Sequence, residues 1–142
     1  MTVTEPFSVR LAVRSYEIDT LGHLNGAFYV SYADHARYQC AEGAGVGADV
    51  LRGAGIGPVN LETTIRYLGE LRAGDEVDVT CTFVWGEGKT FRARQEFRRP
   101  DGTVAAEVTS VCGLLDLTDR RLLRDPATRW RALATRPEIL GL

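Results

Sequence analysis

Few residues in this sequence could build a covalent or metal-bound framework. The 142 residues include only three cysteines and two histidines. Cys40, Cys81 and Cys112 form no CxxC pair, and His23 and His35 lack the spacing of metal ligands, so we expect no metal centre. Each cysteine lies in an apolar segment. This placement favours buried, reduced thiols in a cytoplasmic protein over a secreted disulfide framework.

Long apolar runs and concentrated positive charge are missing as well. No run approaches the roughly 20 apolar residues that span a bilayer, and Met1 to Pro6 has neither the basic start nor the apolar centre of a signal peptide. The formal charge is −2 and the basic residues are scattered, which argues against a nucleic-acid groove. With 44% hydrophobic and 25% charged residues, the composition is that of a soluble globular protein, and 1–142 has the length of one domain.

Several catalytic and cofactor motifs are also absent. No serine lies in a GxSxG elbow, so a serine triad has little support. The segment 43–58 is rich in glycine but has neither Walker nor dinucleotide spacing, and we interpret it as a connector with a short helix around Ala48 to Arg52. No cofactor is therefore expected.

Hydrophobic periodicity predicts one strand followed by one long helix. Residues 7–13 alternate between apolar and polar, as in a strand with one buried face. Asn25 is the expected N-cap of a helix over 26–42, with Asp34 and His35 on its outer face. The predicted buried stripe of this helix, at steps of four, three and four, consists of Tyr29, Ala33, Ala36 and Cys40.

The rest of the sequence is patterned mainly as strands. Alternation predicts strands over 59–67, 77–85, 91–97 and 103–116, joined mainly by tight turns. Asp125-Pro126 has the chemistry of a cap and first residue of a short C-terminal helix. Strands joined in this way are antiparallel, and a single long helix can cover one face of their sheet. The sequence therefore predicts an α+β domain in which an antiparallel sheet wraps round a helix.

The densest cluster of chemically useful side chains lies between the first strand and the helix. Asp19, His23 and Asn25 precede the helix N-terminus, where unpaired N–H groups carry positive partial charge. The amides of Gly26 and Ala27 could polarise a carbonyl oxygen while Asp19 attacks the carbonyl carbon or activates a water. In the alternative interpretation, Asp19 and Asn25 only cap turns, and His23 is a structural hydrogen-bond partner.

The stretch from Tyr16 to Tyr29, with its Asp-x-x-Gly-His-Leu-Asn segment, resembles the hot-dog acyl-thioesterases of the 4-hydroxybenzoyl-CoA thioesterase family. The resemblance continues through Tyr32, Ala36, Arg37, 62–68 and 74–77. It implies a hot-dog fold, with a curved antiparallel sheet of about five strands round the helix. It also implies homodimers or homotetramers whose sheets pair edge to edge, and a substrate that is an acyl-CoA or acyl-carrier-protein thioester.

The same resemblance implies roles for single residues. Asp19 matches the family's catalytic aspartate, and Gly26 and Ala27 match its carbonyl-polarising turn. His23 matches a histidine that plant acyl-carrier-protein thioesterases place in the site. Those plant enzymes carry an asparagine two residues after the aspartate, where this sequence has Leu21.

Other residues are expected to line the substrate site. The candidates are Asn25, Tyr29, Tyr32, Asn60, Glu62 and Thr64. The last three share the alternate face of the predicted second strand, which lies near the site in dimers of the family. Solvation explains the strand residues equally well, and core packing explains the tyrosines.

Two other functions fit the same fold. A hot-dog dehydratase or hydratase would also act on acyl thioesters, although the Gly-Asp-x-Asn-Pro-x-His stretch of hydratases is missing here. A catalytically silent acyl-thioester-binding subunit is the second alternative. The sequence leaves the acyl group open, and it leaves Asp19 as either nucleophile or general base.

Overall fold

The computed structural model describes residues 5–142, and its elements follow the order predicted from the sequence. The strands are β1 (Phe7–Ala12), β2 (Ile56–Tyr67), β3 (Glu76–Trp85), β4 (Thr90–Arg98) and β5 (Val104–Asp116). The helices are α1 (Gly26–Gly43), α2 (Ala48–Gly53) and α3 (Pro126–Leu133), with 3₁₀ turns at Ser15–Glu17 and Pro137–Leu140. β2 begins within the segment 43–58 that was expected to be a connector.

All five strands form one antiparallel sheet in the order β1-β3-β4-β5-β2. β3, β4 and β5 pair in sequence order, as their hairpin signals predict. β2 instead pairs with β5 at the far edge, with Ile56 opposite Asp116 and Tyr67 opposite Ala106. The chain between β2 and β3 then passes the N-terminal end of α1, where the carbonyl of Leu71 accepts the N–H of Leu24 at 2.7 Å.

α1 lies against the sheet through the predicted stripe. Its buried residues are Tyr29, Tyr32, Ala33, Ala36 and Cys40. The first half of α1 packs with β1, β3 and Phe97, whereas its second half packs with α2, α3 and Trp130. Because burial of apolar surface is the main force that holds such layers together, the helix is held along its whole length.

A β-bulge in β2 changes one prediction from the sequence. The register of β2 against β5 shifts between Asn60 and Glu62, so that Leu61 is the extra residue. Asn60 therefore faces α1, where its side chain accepts a hydrogen bond from Arg37 at 2.7 Å. Glu62 and Thr64 lie on the opposite, solvent-exposed face of the strand. The expectation that Asn60, Glu62 and Thr64 share one face was wrong, because the bulge resets the two-residue alternation.

Other expectations concern thiols and membranes. Cys40, Cys81 and Cys112 are free and buried, which confirms the predicted reduced thiols. Within residues 5–142, no helix is long and apolar enough to cross a membrane. The same residues contain no cluster of His, Cys, Asp or Glu that could hold a metal ion. The prediction about a signal peptide at 1–6 falls mostly outside the described residues, and the single domain over 1–142 and the cytoplasmic location stay predictions.

Candidate active site

The loop from Ile18 to Asn25 joins the 3₁₀ turn to α1 and is folded on itself. Ile18 and Leu24 pair as a short antiparallel bridge, and the N–H of Asp19 donates to the carbonyl of His23 at 2.8 Å. The reversal between them passes through Gly22, whose φ of 79° is a conformation that favours glycine. The sequence pattern Asp-x-x-Gly-His is thus a tight turn that precedes Asn25, the N-cap of α1.

The Asp19 carboxylate is held by the backbone of its own turn. Its Oδ1 accepts the N–H of Leu21 at 2.9 Å and the N–H of His23 at 3.1 Å. Within residues 5–142, Oδ2 has no hydrogen-bond partner. The capping role and the reactive role predicted from the sequence are therefore compatible, because each involves a different oxygen.

The first turn of α1 presents one unengaged amide. Asn25 is the N-cap, as predicted, and its side-chain oxygen accepts the N–H of Ala27 at 3.0 Å. Its backbone carbonyl accepts the N–H of Phe28 at 2.9 Å. Gly26 is exposed, and its N–H has no partner among the described residues. Of the two amides expected to polarise a carbonyl, only that of Gly26 is free within this part of the chain.

Glu17 links the loop to the helix, a role that could not be assigned from its place in the cluster before α1. This carboxylate is only 4% exposed, yet its Oε1 accepts the hydroxyl of Tyr32 and the N–H of Arg14. Its backbone carbonyl accepts the N–H of Asn25 at 2.9 Å. Burial pushes the pKa of Glu17 upward, but the bonds from Tyr32 and Arg14 outweigh it, and the net pKa lies below its usual value. Glu17 is therefore ionised and joins β1, the loop and α1.

The imidazole of His23 faces Glu70 and not Asp19. Its Nε2 pairs with the Glu70 carboxylate, while its backbone N–H is the group that reaches Asp19. Arg72 lowers the pKa of Glu70 through a hydrogen bond at 2.7 Å, and His23 adds to this effect. Glu70 was not predicted, because it follows β2 and meets the loop only after the chain has crossed the sheet.

The tyrosines expected to wall an acyl channel are mainly core residues. Tyr29 is 3% exposed and Tyr32 is 4% exposed, and both rings pack against Phe97. The Tyr29 ring also meets the edge of Tyr67, with ring centres 5.1 Å apart. Burial raises the pKa of Tyr29, and the nearby Tyr67 and Asp19 add to the rise.

A separate apolar pocket lies beside the second half of α1. It has a volume of about 310 Å³. Its apolar lining includes Leu51, Phe83, Phe91 and Trp130. Arg37 borders it and pairs with Asp34 as well as with Asn60, while its Nε is buried without a partner in residues 5–142. Asn60 thus borders this pocket together with α1.

The architecture now defines a class of protein. An antiparallel five-stranded sheet round one long helix is the hot-dog fold that the resemblance implied. The chain belongs to the thioesterase-like superfamily, whose family model matches residues 13–139. The predicted resemblance to hot-dog thioesterases is confirmed.

Curated relatives are similar over part of their length. The chloroplastic acyl-acyl carrier protein thioesterase ATL3 of Arabidopsis thaliana is 35% identical over 74 residues, which cover 52% of this chain and 39% of that protein. ATL2 of the same plant is 33% identical over 76 residues, which cover 54% of this chain and 37% of that protein. The chain thus spans well under half the length of these relatives.

Solved structures share the fold at low sequence identity. The probable thioesterase YbaW from Escherichia coli matches with a TM-score of 0.77 and 23% identity, covering 83% of this chain and 89% of that one. The protein SAV2348 from Staphylococcus aureus, solved in complex with CoA, has a TM-score of 0.81 and 21% identity, covering 93% and 85%. Slr0204 from Synechocystis, a 1,4-dihydroxy-2-naphthoyl-CoA thioesterase, has a TM-score of 0.79 and 14% identity, covering 91% and 95%.

Proposed function

We propose that this protein hydrolyses an acyl thioester to a free acid and a thiol, with Asp19 as its reactive carboxylate. The observation that carries the proposal is the position of Asp19. Two backbone N–H groups hold Oδ1, and Oδ2 is unpaired among the described residues, in the turn that precedes α1 along the chain. Membership of the thioesterase-like superfamily supports the same reaction. The thiol carrier is CoA or acyl-carrier protein, and relatives of both descriptions support this choice.

The geometry suits attack on a carbonyl group. Oδ2 of Asp19 either bonds to the carbonyl carbon or takes a proton from the water that does so. In both routes the carbonyl oxygen gains negative charge before the C–S bond breaks and the thiolate leaves. The Gly26 N–H and the positive end of the α1 dipole would stabilise that oxygen. In the first route, water then hydrolyses the anhydride between Asp19 and the acyl group, so both routes consume one water for each acid and thiol formed.

His23 has a positioning role in this proposal. Its imidazole pairs with Glu70, and its contact with Asp19 is through the backbone N–H alone. The pair ties the loop to the chain that follows β2. The side chain thereby maintains the turn that aims Asp19, and it need not touch the thioester.

The apolar pocket supports an apolar acyl group. It borders Asp34, which is eight residues beyond Gly26, or about 12 Å along the helix axis. A chain that extends from a carbonyl at Gly26 would reach this pocket only if it is long. Each methylene that enters an apolar site contributes about 0.8 kcal/mol, which is about fourfold in kcat/KM. A series of acyl-CoA esters should therefore show kcat/KM rising with chain length, and a flat profile would contradict this assignment.

We also propose that two copies pair through β2. This strand is 12 residues long and lies at the edge of the sheet, so that its outer N–H and C=O groups have no partner strand within residues 5–142. Leu61 at its centre is 52% exposed. Leu61→Lys places a charge on this edge and should convert a dimer into a monomer in size-exclusion chromatography with light scattering. Tyr38→Lys, on an exposed helix position, is the control and should leave the dimer intact.

The first experiment is a hydrolysis assay. The purified protein is incubated with acyl-CoA esters and with acyl-carrier-protein esters, and free thiol is measured for the native chain and for Asp19→Ala. Loss of at least about 100-fold in kcat, with an unchanged circular dichroism spectrum, is expected because the reactive group is removed. Asp49→Ala removes an exposed helix carboxylate with 94% side-chain exposure and is the matched control.

Product analysis decides among the alternatives. Thiol release identifies a hydrolase, a changed double bond identifies a hydratase or dehydratase, and tight binding without either product identifies a silent binding subunit. Equal activity of the native chain and Asp19→Ala would overturn the role of Asp19. A single turnover in oxygen-18 water then tests the nucleophilic route. Unlabelled product acid, with the label in Asp19, requires an Asp19 anhydride that water attacks at the Asp19 carbon, whereas a general base always delivers labelled oxygen to the acid.

A further inference from the structure

The first turn of α1 supplies fewer donors than a thioester carbonyl would need. The tetrahedral oxyanion is usually stabilised by more than one preorganised donor. The N–H of Ala27 is taken by the Asn25 side chain, and that of Phe28 is taken by the Asn25 carbonyl. The Gly26 N–H is left without a partner among residues 5–142. If a thioester binds here, a second donor has to come from outside the helix.

Tyr67 places a hydroxyl group at this position. It is the last residue of β2, and its ring stands edge-on to the buried ring of Tyr29. A methyl group on Gly26 would lie 3.2 Å from the Tyr67 hydroxyl oxygen. That methyl position is one bond from the Cα that also carries the Gly26 N–H. The Tyr67 hydroxyl therefore lies beside the first residue of α1.

The Tyr67 hydroxyl is available to a ligand. The hydroxyl of Tyr32 bonds to Glu17 and lies close to the Ala12 carbonyl, but the Tyr67 hydroxyl bonds to none of residues 5–142. The residue is 57% exposed, although its ring is anchored against Tyr29. An anchored ring with a free hydroxyl is a preorganised donor. Packing alone does not account for the hydroxyl, because phenylalanine would fill the same contact.

We propose that Tyr67 is a catalytic residue whose hydroxyl donates a hydrogen bond to the thioester carbonyl oxygen, together with the N–H of Gly26. This inference rests on the proposed function, because it places the substrate carbonyl at the start of α1. The oxygen would sit between the two donors, and the carbonyl carbon would have to lie within reach of Asp19. It also explains why the first helical residue is glycine: any side chain there would compete with the carbonyl oxygen for this space.

The test is Tyr67→Phe, which removes the hydroxyl and keeps the ring. In the thiol-release assay we expect kcat to fall about 10- to 100-fold. This loss is smaller than the roughly 10²–10³-fold loss on removing a fully enclosed oxyanion donor, because Tyr67 is half exposed. KM should change much less, and the thermal melting curve should be unchanged. Tyr16→Phe removes another exposed tyrosine hydroxyl and should retain native kcat. A kcat for Tyr67→Phe within twofold of the native value would overturn the proposal.

A second measurement keeps the test independent of turnover. The probe is an acyl-CoA analogue in which a methylene replaces the thioester sulfur, so that a ketone carbonyl labelled with carbon-13 can be followed by infrared spectroscopy. Two donors should move its stretching frequency further down in the native protein than in Tyr67→Phe. Equal frequencies in the native protein and Tyr67→Phe would overturn the role of Tyr67. If the native chain neither binds the analogue nor hydrolyses any thioester, the proposed function itself fails, and the two failures are thereby distinguished.

Discussion

Removing the Tyr32 hydroxyl should destabilise the protein by a predictable amount. In Tyr32→Phe the ring still stacks on Phe97, but the buried Glu17 carboxylate loses one of its hydrogen-bond donors. What remains is the Arg14 N–H at 2.9 Å and the Arg14 guanidinium at 3.5 Å. A hydrogen bond to a charged group contributes about 1.5–3 kcal/mol. For a chain of this length the loss corresponds to a decrease of about 5–9 °C in Tm.

The pH dependence of this difference follows from the two ionisable groups. Burial raises the pKa of Glu17, but Tyr32 and Arg14 lower it below the ordinary value of 4.5, so its contribution is present above about pH 4.5 and is lost as the pH falls through the folded pKa. Burial and the charge of Glu17 raise the pKa of Tyr32 above its ordinary value of 10.0, so the hydroxyl keeps its proton through neutral pH. The difference in Tm between native protein and Tyr32→Phe should therefore be full at pH 7 and should shrink below about pH 4.

The assay is thermal unfolding by circular dichroism at pH 7 and at pH 3.5, with all variants at one protein concentration. Tyr29→Phe is the matched control, because Tyr29 is equally buried on the same helix but its hydroxyl bonds to no carboxylate within residues 5–142. We expect it to cost less than about 1 kcal/mol. If Tyr32→Phe and Tyr29→Phe lower Tm equally, or if the effect of Tyr32→Phe is the same at both pH values, the reasoning about Glu17 is wrong.

Two further predictions concern the helix N-terminus and the thiols. Gly26→Ala should leave Tm within about 3 °C of the native value, because alanine suits a helix better than glycine. Its methyl group would lie 3.2 Å from the Tyr67 hydroxyl and should lower kcat/KM at least about tenfold. Native activity in this variant would contradict the argument that a side chain at position 26 crowds the carbonyl oxygen. The three cysteines are buried, and burial raises the pKa of Cys112. A thiol reagent should therefore titrate fewer than one cysteine per chain in minutes at pH 8, and three in denaturant; rapid reaction of the folded chain would refute their burial.

The sequence predicted the local structure of the site well. The turn at 19–23, the Asn25 cap and the stripe of α1 were all expected, and all are present. Each depends on hydrogen bonds or on periodicity between residues a few positions apart. Such interactions form between residues that are close in sequence, and they do not depend on which strand lies next to which.

The partners of those residues were decided by the tertiary structure. Glu70 and Tyr67 lie more than 40 residues after the loop, and they meet it because β2 takes the far edge of the sheet and its exit crosses the start of α1. The bulge at Leu61 separated Asn60 from its expected companions on the strand. Strand order and register arise from pairing between distant segments, which leaves no periodic signal in a single sequence. The sequence by itself determined the carboxylate and the helix end, and only the folded sheet determined which groups surround them.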